Sequence, residues 1–253
     1  MLLGIIKKDS GEITWKGKEV DRKHVRFGYL PEERGVYPKT KIFDQLMYFA
    51  ELKGMRKSKA EESIKYWLKK LEIEEYMNIP AEKLSKGNQQ KVQFVIAVMH
   101  DPELIVLDEP FSGLDPVNTE LLKKIILELV KMGKYIIMSS HQMTSIEEFC
   151  TDILILNRGK TILKGNLKSI KNSYPANKLE IVVNKNIDKE IESLGFDDYE
   201  NIDNRYIITI NSEERANKLF KNLALVEDLN VIKFELKKPS LNDIFIEKVG
   251  AQK

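Results

Sequence analysis

Two short apolar runs, residues 104–107 and 135–138, constrain the fold of this chain more than any other feature. Runs without strongly polar side chains are typical of strands that are covered on both faces of a sheet. Between them, apolar residues recur at helical spacing, and Asp115 followed by Pro116 marks the beginning of that helix. Strand-like and helix-like patterns alternate in this way up to about residue 160. This alternation predicts an α/β fold with a partly parallel sheet.

Two domains are predicted, because 253 residues accommodate one sizeable domain and a small second one. The first spans residues 1–173 and contains a helical part at about 38–100. Its elements are predicted as strands at 12–15 and 25–30, helices at 42–53, 59–71, 88–99 and 116–133, and a hairpin at 152–163. After the Tyr174-Pro175 break, residues 174–253 are predicted as a small α+β domain. Its strands are expected at 178–183, 206–210 and 231–236, and its helices at 187–194, 213–223 and 241–249.

The charge balance and the single cysteine exclude some classes of protein. Lysine and arginine total 41 against 39 acidic residues, and a net charge of +2 gives no large field that would recruit nucleic acid. Cys150 is the single cysteine, so an internal disulfide is excluded and a reducing compartment is expected. The longest apolar stretches are far shorter than the roughly 20 residues that span a bilayer. We therefore expect a cytoplasmic protein that does not bind nucleic acid.

Reactive side chains follow both apolar strands. Asp108 and Glu109 come directly after residues 104–107, and His141 follows the second strand after two serines. Ligands of open α/β sheets bind beyond the carboxyl ends of the strands. Two carboxylates and an imidazole at one sheet edge can hold a hydrated magnesium ion, activate a water and contact a phosphate. On its own, each of these side chains would more often belong to a solvated surface loop than to a catalytic site. The neighbouring motifs therefore decide between a surface loop and a catalytic site.

That context includes a polar turn at residues 84–88 that opens a helix. Free backbone N–H groups and the positive end of the helix dipole make such a turn an anion site. The alternative is an ordinary helix N-cap formed by Ser85, and this interpretation would be preferred if the turn stood alone.

Five elements in order resemble the nucleotide-binding motifs of ABC ATPases. They are a Q-loop at Gly28-Tyr29-Leu30-Pro31-Glu32, a signature motif at Leu84-Ser85-Lys86-Gly87-Asn88, a Walker B strand at 104–108 followed by Glu109, a D-loop at Ser112-Gly113-Leu114-Asp115-Pro116, and a switch histidine, His141. The run at 29–37 and the part from Gly165 onward look like the ABC-2-type exporter branch. The resemblance implies an α/β ABC-type ATPase domain with a small α+β C-terminal domain.

The resemblance also implies roles for the residues that would perform the chemistry. Asp108 would hold Mg²⁺, and Glu109 would orient and deprotonate the attacking water. His141 would contact the γ-phosphate of ATP and stabilise the transition state. Glu32, in the Q-loop, would link the nucleotide and its metal to a membrane partner.

The signature motif would act across a dimer. Ser85 and Gly87, with Asn88, would bind the nucleotide held by a second subunit, and Asp115 would lie at the seam between the subunits. Lys86 and Asn88 stand where the family usually has glycine and glutamine, and Glu32 stands where glutamine is usual.

The sequence contains no Gly-x-x-x-x-Gly-Lys-Ser/Thr, the loop that holds the β- and γ-phosphates. Gly159-Lys160-Thr161 is not such a loop, because Leu154 occupies the required upstream glycine position and the predicted context is strand–turn–strand. Residues 1–4 resemble the end of the helix that follows the loop in the family. We therefore expect a domain that lacks its N-terminal strands and phosphate loop, and a chain that is inactive alone.

Two functions remain open from the sequence. The first is an ATP-hydrolysing subunit that uses ATP and Mg²⁺ to power a membrane exporter, paired with a transmembrane permease and a second ATPase subunit on the inner face of the cell membrane. The second is a non-hydrolysing partner that contributes only its signature face to a heterodimer.

Overall fold

The structure is a computed structural model, and it describes residues 1–20, 25–33 and 35–250. The chain forms two compact units, Met1–His141 and Gln142–Lys253. The predicted domain boundary near Ser173 stays a prediction. Among the described residues, no helix combines the length and the apolar character needed to cross a membrane.

The first unit contains a three-stranded parallel sheet. Its strands are β3 Phe27–Leu30, β4 Leu104–Asp108 and β5 Tyr135–Ser139, with β4 in the middle. The run at 104–107 is largely buried, but Tyr135 and Ile137 are about half exposed, so the second apolar run is not covered on both faces as predicted. Two further strands, β1 Thr14–Trp15 and β2 Lys18–Glu19, form a separate short antiparallel pair. All three parallel strands end at the same edge of the sheet, which brings Asp108 opposite Ser139.

The described part of the first unit also contains four helices. They are α1 Ile42–Leu52, α2 Lys57–Lys70, α3 Lys86–Val98 and α4 Pro116–Lys131, with short 3₁₀ turns at Glu74–Tyr76 and Ala81–Lys83. Helix α3 packs against β3 so closely that a Cβ on Gly28 would lie 2.2 Å from the carbonyl oxygen of Ala97. The sequence predicts these helices to within about two residues at each end, from their apolar spacing and, for α3 and α4, from a side-chain cap as well.

The first residues differ from the prediction. Residues 1–4 form a turn with a hydrogen bond from the Gly4 N–H to the Met1 carbonyl, and they are not helical. A single i+3 hydrogen bond does not propagate a helix, because helix formation needs several consecutive turns. The predicted strand at 25–30 begins at Phe27, and His24 lies outside the described residues.

The second unit begins with helix α5 Met143–Phe149 and a hairpin of β6 Asp152–Asn157 and β7 Lys160–Asn166. The turn of this hairpin contains Gly159, at φ +75°, and Lys160 begins β7. The Gly159-Lys160-Thr161 sequence therefore has the strand–turn–strand context that the sequence predicts. The six-residue helix α6 Leu167–Asn172 follows the hairpin.

The rest of the second unit is a four-stranded antiparallel sheet with helices on one face. In chain order its elements are β8 Lys178–Val183, α7 Asp188–Ser193, β9 Tyr199–Ile202, β10 Arg205–Thr209, α8 Glu213–Leu223 and β11 Val231–Lys237. The strand order β11-β8-β10-β9 and the βαββαβ sequence of elements are those of a ferredoxin-like domain. Helix α9 Leu241–Gly250 follows, and its Leu241 packs into a small cluster with the β6–β7 hairpin.

Candidate functional site

Asp108 and Glu109 lie at the end of β4, next to the end of β5. Because Asp108 is in register with Ser139, the Ser139 hydroxyl donates a hydrogen bond to Oδ1 of Asp108. The backbone N–H of Glu109 lies 3.3 Å from the Ser139 carbonyl and 3.2 Å from its hydroxyl. One serine on β5 thus holds both acidic residues at this edge.

Glu109 and His141 are in direct contact. The Oε1 atom of Glu109 lies 2.8 Å from the His141 backbone N, which donates to it, and 2.8 Å from the ring Nδ1. The imidazole is 76% exposed, while the Glu109 side chain is only 15% exposed. Glu109 has a left-handed backbone at φ +46°, which is uncommon outside glycine and frequent at functional sites. The contact therefore leaves a carboxylate and an imidazole facing one open edge.

The turn at residues 84–88 is an N-cap, as the simpler interpretation predicts. The Ser85 Oγ accepts a hydrogen bond from the Asn88 N–H at 3.2 Å, and Ser85 is exposed. The N–H groups of the first turn have no partner inside a helix, so the turn also keeps its capacity to bind an anion. Gly87 packs against the loop after β4, because a Cβ there would lie 3.3 Å from the Gly113 carbonyl.

Asp115 caps helix α4. Its Oδ1 accepts a hydrogen bond from the Asn118 N–H at 2.9 Å, and this bond, with the Asn118 side chain, lowers the pKa of the Asp115 carboxyl. Asp115 is exposed two residues after Gly113, which adopts a left-handed conformation at φ +75°. The D-loop at residues 112–116 and the turn at residues 84–88, called the signature turn below, are thus neighbours on the surface of the first unit.

Glu32 lies in an exposed bend directly after β3. Within the residues that the structure describes, no hydrogen bond joins it to Asp108, Glu109 or His141. The Q-loop is tied to α3 instead, since Nε2 of Gln93 donates to the Glu33 carbonyl at 3.1 Å. The role of Glu32 stays a prediction.

A magnesium site at this edge would rest on few protein ligands. The described residues contain no cluster of three or more His, Cys, Asp or Glu side chains that could hold a metal alone. Magnesium in phosphate-transfer sites is usually bound through one or two carboxylates, with phosphates and waters completing its octahedron. Asp108 uses one carboxylate oxygen for Ser139 and retains the other, so it fits that pattern.

Two further residues of this site, Ser139 and Gln90, lie outside the motifs recognised in the sequence. Ser139 is in register with Asp108, a position that is visible only when the strand pairing is known. Gln90 is buried in α3 and donates to the carbonyls of Glu109 and Pro110. A buried glutamine two residues beyond the signature turn is the signal that could have identified it.

Known proteins resemble this chain in sequence. A sequence model of the family "ABC transporter" matches residues 1–112, and one described as "ATP-binding protein DrrA1-3-like, C-terminal domain" matches residues 165–249. The chain is 45% identical to the "Uncharacterized ABC transporter ATP-binding protein YhaQ" of Bacillus subtilis, over 99% of this chain and 84% of that protein. It is 43% identical to a relative with the same description, BpOF4_11395 of Alkalihalophilus pseudofirmus, over 99% of this chain and 93% of the relative.

The fold has similar solved structures. A structure titled "Structure of ATP binding subunit of ABC transporter" has a TM-score of 0.61 and 27% identity over 68% of this chain and 73% of its own. This similarity confirms the predicted α/β ATPase fold. The chain therefore belongs to the family of ABC transporter ATP-binding proteins, the ATP-binding components of ABC transporters.

Proposed function

We propose that this chain is the ATP-hydrolysing subunit that powers a membrane exporter. The observation that carries the proposal is the contact between Glu109 and His141 beside Asp108, at the carboxyl ends of two adjacent parallel strands. A carboxylate within hydrogen-bond reach of an exposed imidazole is suited to accept a proton from water and to stabilise charge on a phosphate. The part from Gly165 onward, which resembles the exporter branch in sequence, coincides with the match to the DrrA1-3-like C-terminal domain at residues 165–249.

In this proposal each group at the sheet edge has one task. Asp108 would hold magnesium through the carboxylate oxygen that Ser139 does not use, and Glu109 would orient and deprotonate the water that attacks the γ-phosphate. His141 donates a hydrogen bond to that phosphate. When bound, the metal neutralises charge on the phosphate oxygens, so positioning is the main contribution of the protein.

The signature turn serves a second nucleotide. Ser85, Gly87 and Asn88 open α3 on the surface of the unit, and the N–H groups and dipole of this helix end attract an anion. We propose that this turn closes over ATP held by a second ATPase subunit, with Asp115 at the seam. Catalysis then requires a dimer, and Glu32 lies in the loop that connects the nucleotide to the membrane partner.

An aromatic cluster supports a docking surface for that partner. Tyr37 stacks on Phe49 at 5.9 Å between ring centroids and contacts Tyr48 at 6.4 Å, and both tyrosines are about half exposed. Leu52 is more exposed still, on the same helix as Tyr48. We propose that a cytoplasmic helix of the transmembrane permease binds here, which places the chain on the inner face of the membrane.

One observation favours a second function. The 253 residues contain no Gly-x-x-x-x-Gly-Lys-Ser/Thr loop, which supplies the amides and the lysine that hold the β- and γ-phosphates in this family. We therefore propose that this polypeptide does not hydrolyse ATP by itself. In the alternative function the chain contributes only its signature face to a heterodimer with an active subunit.

Two substitutions separate the functions. Glu109→Gln and Ser85→Ala are introduced into the native gene, and the transporter is purified with its transmembrane partner. If this chain hydrolyses ATP, Glu109→Gln lowers the ATPase rate by about 10²- to 10⁴-fold, as expected for loss of a general base. Glu62→Gln, an exposed glutamate on α2, serves as the matched control and retains the wild-type rate.

The pattern of the two variants decides between the proposals. Loss of activity in both supports the hydrolysing subunit, whereas loss in Ser85→Ala alone supports the signature-only partner. Wild-type activity in both variants contradicts both proposals. Separately, the purified 253-residue polypeptide is expected to show no ATP turnover, and a normal rate that copurifies with it through several steps would overturn that expectation.

A further inference from the structure

Helix α3 carries a glutamine where the packing favours an apolar residue. Gln90 is only 2% exposed, and Val92, Phe94 and Val95 of the same helix are completely buried. Its side-chain Nε2 donates to two consecutive carbonyls, at 3.4 Å to Glu109 and 3.3 Å to Pro110. A buried side-chain amide lowers the stability of the fold unless its hydrogen bonds are made. The two carbonyls supply acceptors for Gln90 and therefore explain why a polar side chain is tolerated there.

These bonds reach the one residue of the site that has a strained backbone. Glu109 adopts a left-handed φ of +46°, a conformation that persists only when the surroundings hold it. On its amide side Glu109 is held by Ser139. On its carbonyl side it accepts from the Ser112 N–H at 3.1 Å and from Gln90 at 3.4 Å, and Gln90 also holds the next carbonyl. Ser139 and Gln90 are thus the two side chains that support the backbone from which the Glu109 carboxylate meets His141.

The same helix begins within the signature turn, at Lys86, four residues before Gln90. Gly87 lies against Gly113 and Leu114, both at 3.3 Å from the position of a Cβ, and these residues belong to the loop that starts at Glu109. The loop is therefore contacted by α3 at both of its ends. If the signature turn moves, Glu109 should move with it, because Gln90 and the packing of Gly87 on the loop both connect α3 to Glu109.

We propose that Gln90 is a positioning residue for Glu109 and transmits the position of the signature turn to the Glu109–His141 pair. The inference rests on the proposed function, because positioning matters to hydrolysis only if Glu109 acts on the attacking water. Occupation of the signature turn by a phosphate of the second subunit would then adjust the geometry of the carboxylate in this one.

The structural part is tested by NMR on the 253-residue chain. In Gln90→Met, which keeps the shape of the side chain and removes the donor, hydrogen exchange of the His141 amide should rise by about tenfold, the scale of one lost hydrogen bond. The ring ¹⁵N resonance of His141 should shift as well. Gln93→Met is the matched control, since Gln93 is equally buried on the same helix but donates to Glu33. It should leave both His141 signals in place.

A second measurement covers the case in which Gln90→Met does not fold. In the wild-type chain, the side-chain NH₂ protons of Gln90 should exchange far more slowly than those of a free glutamine and show contacts to Glu109. Rapid exchange of these protons overturns the proposal, as does an unchanged His141 signature in a folded Gln90→Met chain. A change of the same size in Gln93→Met also overturns it, because the effect would then be general loosening of α3.

The transmission is tested with Gly87→Ala, which presses on Gly113 and Leu114. This variant should shift the His141 resonances, and the shift should shrink by at least half in the Gln90→Met background. Equal shifts in both backgrounds show that the turn does not act through Gln90 and overturn this step.

The catalytic consequence is read in the purified transporter, apart from the NMR result. Gln90→Met should lower kcat by about tenfold with the KM for ATP unchanged, because the base is misaligned while binding is retained. Full kcat in Gln90→Met beside an inactive Glu109→Gln transporter overturns the positioning role and leaves the proposed function intact. Full activity in Glu109→Gln contradicts the proposed function. The coupling between Gln90 and His141 is tested separately by the NMR measurements.

Discussion

The two units of the chain hold the same chemical group, a glutamate carboxylate, in opposite ways. In the second unit Glu180 is 2% exposed, and its oxygens lie 2.7 Å from Arg205 and 2.6 Å from both Lys233 and Lys237. These cations lower the pKa of Glu180 to about 2, with the lysine hydrogen bonds as the largest cause. In the first unit the Glu109 carboxylate contacts the backbone and ring of an exposed histidine.

The difference separates a structural carboxylate from one that is available for chemistry. Glu180 is covered by the long side chains of its own partners, on the sheet face that is opposite the helices, and its charge is compensated within the domain. Glu109 is held by hydrogen bonds that fix its direction, and its neighbour is an imidazole that is 76% exposed. The position of the Glu109 carboxylate therefore depends on close packing of the backbone in the first unit. The position of the Glu180 carboxylate depends on ion pairs within the second unit.

The largest expected effect tests the packing of the first unit. Gly28→Ala places a Cβ 2.2 Å from the Ala97 carbonyl, so β3 and α3 must move apart, and we expect a loss of about 3 kcal/mol in stability. Amide hydrogen exchange of α3 with increasing denaturant measures the loss. Gly35→Ala is the control, because its Cβ would meet only the Gln93 side chain, at 3.7 Å. Equal stability of the two variants would show that the close approach does not support the site.

A smaller effect tests the ion cluster of the second unit. Glu180→Gln should lower stability by about 1 to 2 kcal/mol at pH 7, less than the pKa shift alone implies because the cluster is near solvent. The matched control is Glu235→Gln: Glu235 pairs with Lys233 at 2.8 Å but is 50% exposed, and its loss should be close to neutral.

The effect of Glu180 should also depend on pH in a defined direction. Its pKa is lower in the folded chain than its ordinary value of 4.5, so its contribution is fully present above about pH 5 and is lost as the pH falls toward 2. Urea unfolding of wild type and Glu180→Gln across this range, followed by amides of β8, should therefore converge at acidic pH. A stability difference that is constant from pH 7 to pH 3 would contradict the assignment of Glu180 as an ionised structural group.

The smallest expected effect concerns a serine N-cap, which is present on one helix of each unit. Ser85 caps α3 and Ser212 caps α8, each by accepting a backbone hydrogen bond three residues on. Alanine at either position should cost about 1 kcal/mol, the usual value of a serine N-cap. Only Ser85→Ala should also reduce ATP hydrolysis by the purified transporter. Reduced hydrolysis in Ser212→Ala to the same extent would mean that activity follows helix stability and not the signature turn.

Much of this architecture was predictable from local sequence. Asp115-Pro116 marks the beginning of α4, and the apolar spacing of residues 213–223 gives the bounds of α8, because caps and periodicity are properties of neighbouring residues. The meeting of Asp108, Glu109 and His141 was also predictable, since carboxyl ends of parallel strands share one edge.

Contacts between distant residues could not be predicted in this way. The bond from Ser139 to Asp108 depends on the register of β4 and β5, and the Gln90 bonds depend on how α3 lies over the loop after β4. Strand β9 was not predicted, because residues 199–202 are a short, mostly exposed segment that becomes a strand by pairing with β10 at the sheet edge. Tertiary pairing decides such segments more than their own composition does.

The central claim is that the Glu109–His141 pair and the signature turn are two halves of one kind of ATP site, completed between subunits. The most direct measurement is a structure of the purified transporter carrying Glu109→Gln, with ATP and magnesium bound. The account predicts a γ-phosphate within about 3 Å of His141 from one ATPase subunit and of Ser85 from the other. ATP bound with His141 of this chain away from every phosphate would contradict it.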